Sequence, residues 1–270
     1  MIRVIKSVYK KNRIIALRAY PMSFMISRVI GGMFGLILPF VLYYIVFNKQ
    51  LAVDIQESLN GISYITYIVT GEILSILSFS TLMSVGRCLI TEIREGTLDT
   101  FLLSPASRLG YYVGAYLEQF WRSILESLAV LVFGLIFGAR IRLEKVPILI
   151  LVIVFSSISF FSLAMLVSSI MVYTRDTYLV QNTFYMLMHF ICGVVFPLEF
   201  LPYPIRVLSN LFPLTPAIKL IRLSLLERSL LGNEAVMLIL QIIILSVIYA
   251  IGGYYTFRRM ETKLIEDVLA

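Results

Sequence analysis

Hydrophobic residues in this chain run in long unbroken stretches rather than in the alternation of a half-buried strand. A membrane crossing needs about 20 apolar residues to span a hydrocarbon core about 30 Å thick. Stretches of that order fall at Phe24 to Phe47, Ile62 to Val85, Leu117 to Phe137, Val146 to Val172, Tyr178 to Phe196 and Val236 to Phe257. Each is expected to be a helix, because a lone strand in lipid would leave its backbone N–H and C=O groups unpaired. A β-barrel is disfavoured by the absence of period-two patterning. The expected fold class is therefore all-α, a polytopic membrane protein of six spans forming a single domain over residues 1–270. The third span is the weakest, since Glu118, Arg122 and Glu126 stand in its first half.

Ahead of the first span, residues 2 to 17 follow a helical period in which Arg3, Lys6, Lys10 and Arg13 share one face. Val4, Ile5, Val8, Tyr9 and Ile15 cover another face. An amphipathic helix over residues 1–20 is expected at the membrane interface, facing lipid headgroups or a cytosolic partner, or serving as a topology anchor alone. Its basic residues, with Arg87, Arg94, Arg108, Arg175, Arg258, Arg259 and Lys263, place both termini in the cytosol by the positive-inside bias. Arg140, Arg142 and Lys145 weaken the bias by falling in an outer loop.

Composition agrees with a lipid solvent: 59% of the 270 residues are hydrophobic and 14% charged, against about 25% charged in soluble domains. Mean hydropathy is +0.91. The net charge of +7 is accounted for by basic residues flanking spans and facing anionic lipid, so nucleic acid is not an expected partner. The N-terminus is not read as a cleavable signal, because its apolar run has span length. Cys88 and Cys192 fall near opposite ends of different spans, which argues against a disulfide, and neither has the spacing of a metal site.

Two connections are long. The outer one, residues 197–234, is apolar yet holds Pro197, Pro202, Pro204, Pro213 and Pro216. Proline removes an N–H and disfavours helix in the preceding residue, so no continuous helix can pass. Broken helices over Tyr203 to Leu211 and Pro216 to Leu231 are expected, the second capped by Thr215 and closed by Gly232. Apolar broken chain at membrane depth must be packed in protein or line a cavity, which predicts an outer re-entrant helical hairpin between spans five and six.

The inner connection, within residues 91–108, reads "EIREGTLDTFLLSPASR". Gly96 interrupts it, Thr97 can cap, and Asp99 suits the first turn of a helix. Leu98, Phe101 and Leu102 at i, i+3, i+4 make an apolar stripe, and Ser104 ahead of Pro105 stops the helix, leaving Leu98 to Leu103. A helix of under two turns is marginal in water, so something must hold it. The stripe packs on the protein's own spans or the lipid surface, or it plugs into a cytosolic subunit.

The stretch "EIREGTLDTFLLSPASRLGYYVGAYL" resembles the cytosolic loop and following span of ABC exporter permeases of the second type, the ABC-2 family. There a pattern "R-E-x-G-T-L-(x)-L-L-L-x-P-(x)-S" marks the coupling helix. The stretch "RDTYLVQNTFYMLMHFICGVVFPLEFLPYPIRVLSNLFPLTPAIKLIR" is similar to that family's fifth span and outer hairpin, a glycine followed by "F-P", "L-P", "P-L-T-P" and an arginine. Phe101 departs from the usual leucine run, and Cys192 stands where a serine is common.

The resemblance implies a permease subunit that pairs with a second permease, identical or homologous, and with two ABC ATPase subunits that bind ATP and Mg. It also implies residence in the plasma membrane. By position, Glu92, Arg94, Glu95, Gly96, Thr97, Leu98, Phe101, Leu102, Leu103 and Pro105 would form the ATPase-coupling element. Gly193, Pro197, Pro202, Pro213 and Pro216 would shape the outer hairpin. Cargo in the family ranges over drugs, peptide or lipid-like antibiotics and polysaccharides. No Gly-Lys pair occurs, hence no phosphate-cradling G-x-x-x-x-G-K-[ST] loop, and the chain is expected to carry no catalytic site, cofactor or metal of its own.

Glu72 lies mid-span, where a carboxylate is costly and often functional; protonation, a partner on another span or a cavity would each relieve it. With Glu72, the residues Tyr64, Tyr67, Gly71, Tyr185 and Phe196 are candidates for lining a path, or for packing. Glu118, Arg122 and Glu126, at i, i+4, i+8, can form an intrahelical ladder. His189 is the only histidine, which excludes a multi-histidine metal site, and no nucleophile motif accompanies it. Two other classes stand against the exporter: an ion-gradient-driven transporter, which would concentrate carboxylates and broken helices at the midplane, and a membrane receptor or scaffold docking a cytosolic protein.

Overall fold

The computed structural model describes residues 1–19, 22–48, 53–59, 61–174, 177–226 and 232–269. Those residues form helices joined by turns and short irregular connections, with no strand among them. In chain order the α-helices are α1 (Ile2–Ala19), α2 (Met22–Val41), α3 (Val53–Ser58), α4 (Tyr64–Arg94), α5 (Leu98–Leu103), α6 (Arg108–Ile136), α7 (Val146–Thr174), α8 (Thr177–Ile191), α9 (Tyr203–Ser209), α10 (Leu214–Leu226) and α11 (Asn233–Leu269).

Five helical segments among the described residues are long and apolar enough to cross a membrane, and they coincide with expected spans one to four and six. The expected fifth span, Tyr178 to Phe196, differs. Its helix α8 has 15 residues, about 22 Å at 1.5 Å per residue, shorter than the hydrocarbon core. It stops because Gly193 adopts φ +79°, a left-handed turn that ends the helical ladder. The first span also departs from a plain helix. Pro39 stands inside α2, and the chain widens into a π-helical turn over Leu42–Val46, where Phe47 N–H donates to Leu42 O at 2.9 Å.

Other boundaries move for local reasons. α4 starts where Ser63 accepts from Thr66 N–H at 3.3 Å and continues past the expected Val85 to Arg94. α6 begins at Arg108, well before Leu117, because Ser107 caps it by accepting from Gly110 N–H at 3.2 Å. The extra turns carry the polar residues that a hydropathy reading cuts off.

The core is built around α4, which packs against α6, α7 and α10, while α11 lies along α7. Without water inside a bilayer, helices associate through close packing and small polar residues. Ser75, Ser78, Ser80 and Thr81 of α4 and Ser156, Ser159, Ser162 and Ser168 of α7 are buried accordingly. Gly253 brings α11 onto α7 so closely that a Cβ there would stand 3.0 Å from Leu166 N. α1 lies on α6 in the same way: Val8 is buried, and a Cβ on Gly114 would meet Val8 Cβ at 2.8 Å. Of the expected ladder, Arg122 pairs with Glu118 one turn away. Cys88 and Cys192 are buried free thiols.

Candidate functional site

The inner-loop peptide is held by its flanks. α4 ends at Arg94, and Gly96 takes φ +67° to turn the chain. α5 follows and stops at Ser104, which is extended (ψ 147°) ahead of Pro105. Thr97 occupies the N-cap position without capping; its hydroxyl donates instead to the Glu92 carboxylate. That carboxylate also accepts from Lys11 Nζ at 2.9 Å and from the Tyr111 hydroxyl at 2.5 Å. One buried acid thus ties together α1, α4, the turn before α5, and α6. Burial raises the Glu92 pKa, but the hydrogen bonds from Thr97, Tyr111 and Lys11, with the Lys11 charge, outweigh it and hold the carboxyl below its ordinary value.

The far end of α5 is fastened by Arg108, which donates to the carbonyls of Phe101 (2.8 Å), Ser104 (3.2 Å) and Ala106 (3.1 Å). Its guanidinium lies 4.7 Å from the Phe101 ring centroid. On its other side Phe101 packs against Tyr111, centroids 4.7 Å apart. Leu98 is buried in the protein's own core. Two members of the apolar stripe therefore face this chain; the side chain of Leu102, the third, and that of Asp99 lie outside the described residues. The outward surface consists of Arg94, Glu95, Gly96, Thr97, Thr100, Pro105 and Leu103, the last 71% exposed.

At the other end of the bundle the proline-rich segment folds against α4. Pro197 precedes a 3-10 turn over Leu198–Phe200, Pro202 caps α9 and Pro204 lies in its first turn. The Arg206 guanidinium staples this run by donating to Glu199 O at 2.7 Å and Leu201 O at 3.2 Å. α10 begins at Leu214, earlier than expected, so Thr215 is inside the helix; its hydroxyl donates to Ser209 O at 2.6 Å instead of capping. Pro213 and Pro216 are buried beside it. The expected end of this helix at Leu231 lies outside the described residues.

Arg222, the arginine closing the second motif, pins the proline-rich segment to α4. It donates to Tyr67 O at 3.0 Å and to Val194 O at 3.2 Å, with its guanidinium over the Tyr67 ring. The Tyr67 hydroxyl donates to Gly193 O at 3.4 Å. Gly71 leaves room for the hairpin backbone, since a Cβ there would come within 2.6 Å of Val194 O. Of the path candidates, Tyr64, Tyr67, Gly71 and Glu72 are thus buried, Tyr185 half-buried and Phe196 exposed.

Glu72 points at α2 and α8. A Cβ on Gly35 would meet its Oε1 at 2.7 Å, so any larger residue there would push the carboxylate aside. Its Oε2 makes no hydrogen bond and stands 3.9 Å from His189 Nδ1, which lies 3.4 Å from Ser75 Oγ. No group of three His, Cys, Asp or Glu side chains that could hold a metal occurs among the described residues.

A family model described as ABC-2 type transporter matches residues 3–226, most of the chain. The chain belongs to that family. No curated protein matches it. It is accordingly a multi-pass permease subunit of an ABC transporter, a transport component of a kind that associates with ABC ATPase subunits.

In this permease both quoted motifs fall on organised elements, α5 with its flanks and the proline-rich segment against α4. Several residues that organise them escaped the sequence reading. Lys11, Tyr111 and Arg108 act through contacts distant in sequence or across a turn, and no local pattern marks them. Arg222 had a signal, as the arginine ending the outer motif.

Proposed function

We propose that this permease is the membrane half of an ATP-driven exporter in the plasma membrane, with six crossings and both termini cytosolic. α8 supplies the fifth crossing, and the turn after Ile191 makes up the depth that the helix lacks. Residues 197–234 form the outer re-entrant hairpin. The permease pairs with a second permease, identical or homologous, and with two ATPase subunits that bind ATP and Mg. Its cargo falls among drugs, antibiotics, lipid-like molecules and polysaccharides.

The observation that carries this reading is the fastening of α5 at both ends, through Glu92 and Arg108, with Leu103 left on the surface. A force applied at α5 passes into α4, whose 31 residues extend about 46 Å at 1.5 Å per residue. The opposite end of α4 carries the hairpin through Tyr67, Gly71 and Arg222. One rod therefore links the docking peptide to the outer face. ATP binding by the partners would move α5 and, through α4, shift the hairpin and α8. Tyr185 and Phe196 then line the path directly, while Tyr64, Tyr67, Gly71 and Glu72 reach it once the hairpin or α8 separates from α4.

Within the coupling element, Arg94, Glu95, Thr97, Leu103 and Pro105 meet the ATPase, with Gly96 setting the turn. Glu92, Leu98 and Phe101 hold the element in place. Leu103→Asp separates the two roles. In a reconstituted complex it should leave thermal stability unchanged and reduce cargo-stimulated ATP hydrolysis to the basal rate, because a carboxylate would have to be desolvated in the docking groove. Wild-type coupling by this variant, or cargo movement by the purified permease with no nucleotide-hydrolysing companion, would overturn the reading.

A further inference from the structure

At the hairpin end of the bundle a cleft of about 510 Å³ opens between the start of α4, the 3-10 turn before α9, α10 and the start of α11. Its size falls in the range of small-molecule sites, about 300–1,000 Å³. Its charges are of both signs. Lys219 and Arg222 lie three residues apart, so they share one face of α10. Glu199 on the 3-10 turn and Glu234 in the first turn of α11 line the same cleft. Arg222 is held in place by two backbone carbonyls, yet its Nε has no hydrogen-bond partner. The wall also has aliphatic members, Leu59, Ile62, Leu223 and Leu238.

The cleft continues into an apolar track. Met237, on its rim, is 71% exposed, and Leu240, Ile244, Val247 and Ile251 follow on α11, each at least half exposed. Their spacing of three and four residues makes one stripe along the helix. Such a stripe on a spanning helix is lipid-facing surface, and it starts at the charged cleft.

We propose that this cleft seats the headgroup of a zwitterionic phospholipid, with an acyl chain lying along the α11 stripe. The phosphate faces Lys219 and Arg222, and the headgroup ammonium faces Glu199 and Glu234. Charge-assisted hydrogen bonds of both signs discriminate such a headgroup from a purely anionic one. The binding is a property of this chain alone and does not depend on the exporter reading.

The test is lipid retention by the purified full-length permease, measured by native mass spectrometry after exchange into detergent with equal amounts of phosphatidylethanolamine and phosphatidylglycerol. The wild type should retain phosphatidylethanolamine at least fivefold over phosphatidylglycerol. The double variant Glu199→Gln, Glu234→Gln should invert that preference, and Lys219→Gln should lower retention of both lipids. Leu223→Trp, which fills the cleft without altering its charge, should lower both as well. Equal retention of the two lipids by the wild type, a preference for the anionic lipid, or a preference that survives the double carboxylate substitution would overturn the proposal. Circular dichroism of each variant identifies any that fails to fold, and the charge variants sit on exposed side chains where the fold does not depend on them.

Discussion

Replacing Glu92 tests whether α5 is held rigidly. The carboxylate accepts from Thr97, Tyr111 and Lys11. Hydrogen bonds to a charged group contribute about 1.5–3 kcal/mol each. The Lys11 ammonium is 44% exposed, so its share is discounted to about 0.5 kcal/mol, as for a surface pair. In Glu92→Ala the Tyr111 hydroxyl, itself buried, loses its short acceptor and keeps only Cys88 O at 3.5 Å; a poorly satisfied buried donor costs up to about 1–3 kcal/mol. A loss of about 3 kcal/mol at the α5 anchorage is the expected sum, after overlap between these terms is allowed for. Because a factor of ten corresponds to about 1.4 kcal/mol, the amides of residues 97–104 should exchange with deuterium about a hundredfold faster, if they open locally. Glu92→Gln keeps one acceptor oxygen and should accelerate exchange about tenfold; Lys11→Ala should change it by less than about threefold.

The same carboxylate sets a pH dependence. Its folded-state pKa is held below the ordinary glutamate value, so its stabilisation is present above about pH 4.3, the unfolded value, and is lost as pH falls through the lowered folded value. Protection of the α5 amides, taken relative to their intrinsic exchange rates, should therefore fall on acidification below about pH 4 in the wild type and lose that response in Glu92→Gln. Unaltered exchange in Glu92→Ala, measured by mass spectrometry of the purified chain, would refute the anchorage.

Two further substitutions probe the bundle. Arg222→Gln removes the guanidinium from the carbonyls of Tyr67 and Val194 and should destabilise the packing of residues 193–201 on α4 by about 2–3 kcal/mol, read as faster deuterium exchange over those residues with α5 unaffected. Gly253→Ala places a Cβ 3.0 Å from Leu166 N, where backbone cannot yield as a flexible side chain does. Overpacking of that kind costs about 1–3 kcal/mol and should lower the melting temperature in detergent; an unchanged value would show that α7 and α11 separate without cost.

The span helices, their approximate limits and both motifs were legible because they follow from local properties. An apolar run of bilayer length must be helical wherever lipid is the solvent, and a proline or a glycine acts on its own neighbours. α5 was legible to the residue, since Gly96 and Pro105 bound it. Where a local signal competed with another acceptor or turn a few residues away, the sequence misled. Thr97 and Thr215 look like caps, yet each hydroxyl finds a different acceptor that packing brings near. The run Tyr178 to Phe196 reads as a full span, while the turn at Gly193 ends its helix early.

By itself the sequence determined that this protein is a bundle of membrane helices with one short helix between Gly96 and Pro105 and a proline-broken segment, because backbone satisfaction in lipid and proline chemistry favour that arrangement. Only the tertiary structure decided which way the short helix faces and what each charge meets. Lys11 lies 81 residues from Glu92, and Tyr67 lies 155 residues from Arg222. Such pairings depend on how whole helices pack, which spacing along the chain does not encode. A charge buried among helices is stable only beside a partner, and that partner is chosen by the fold.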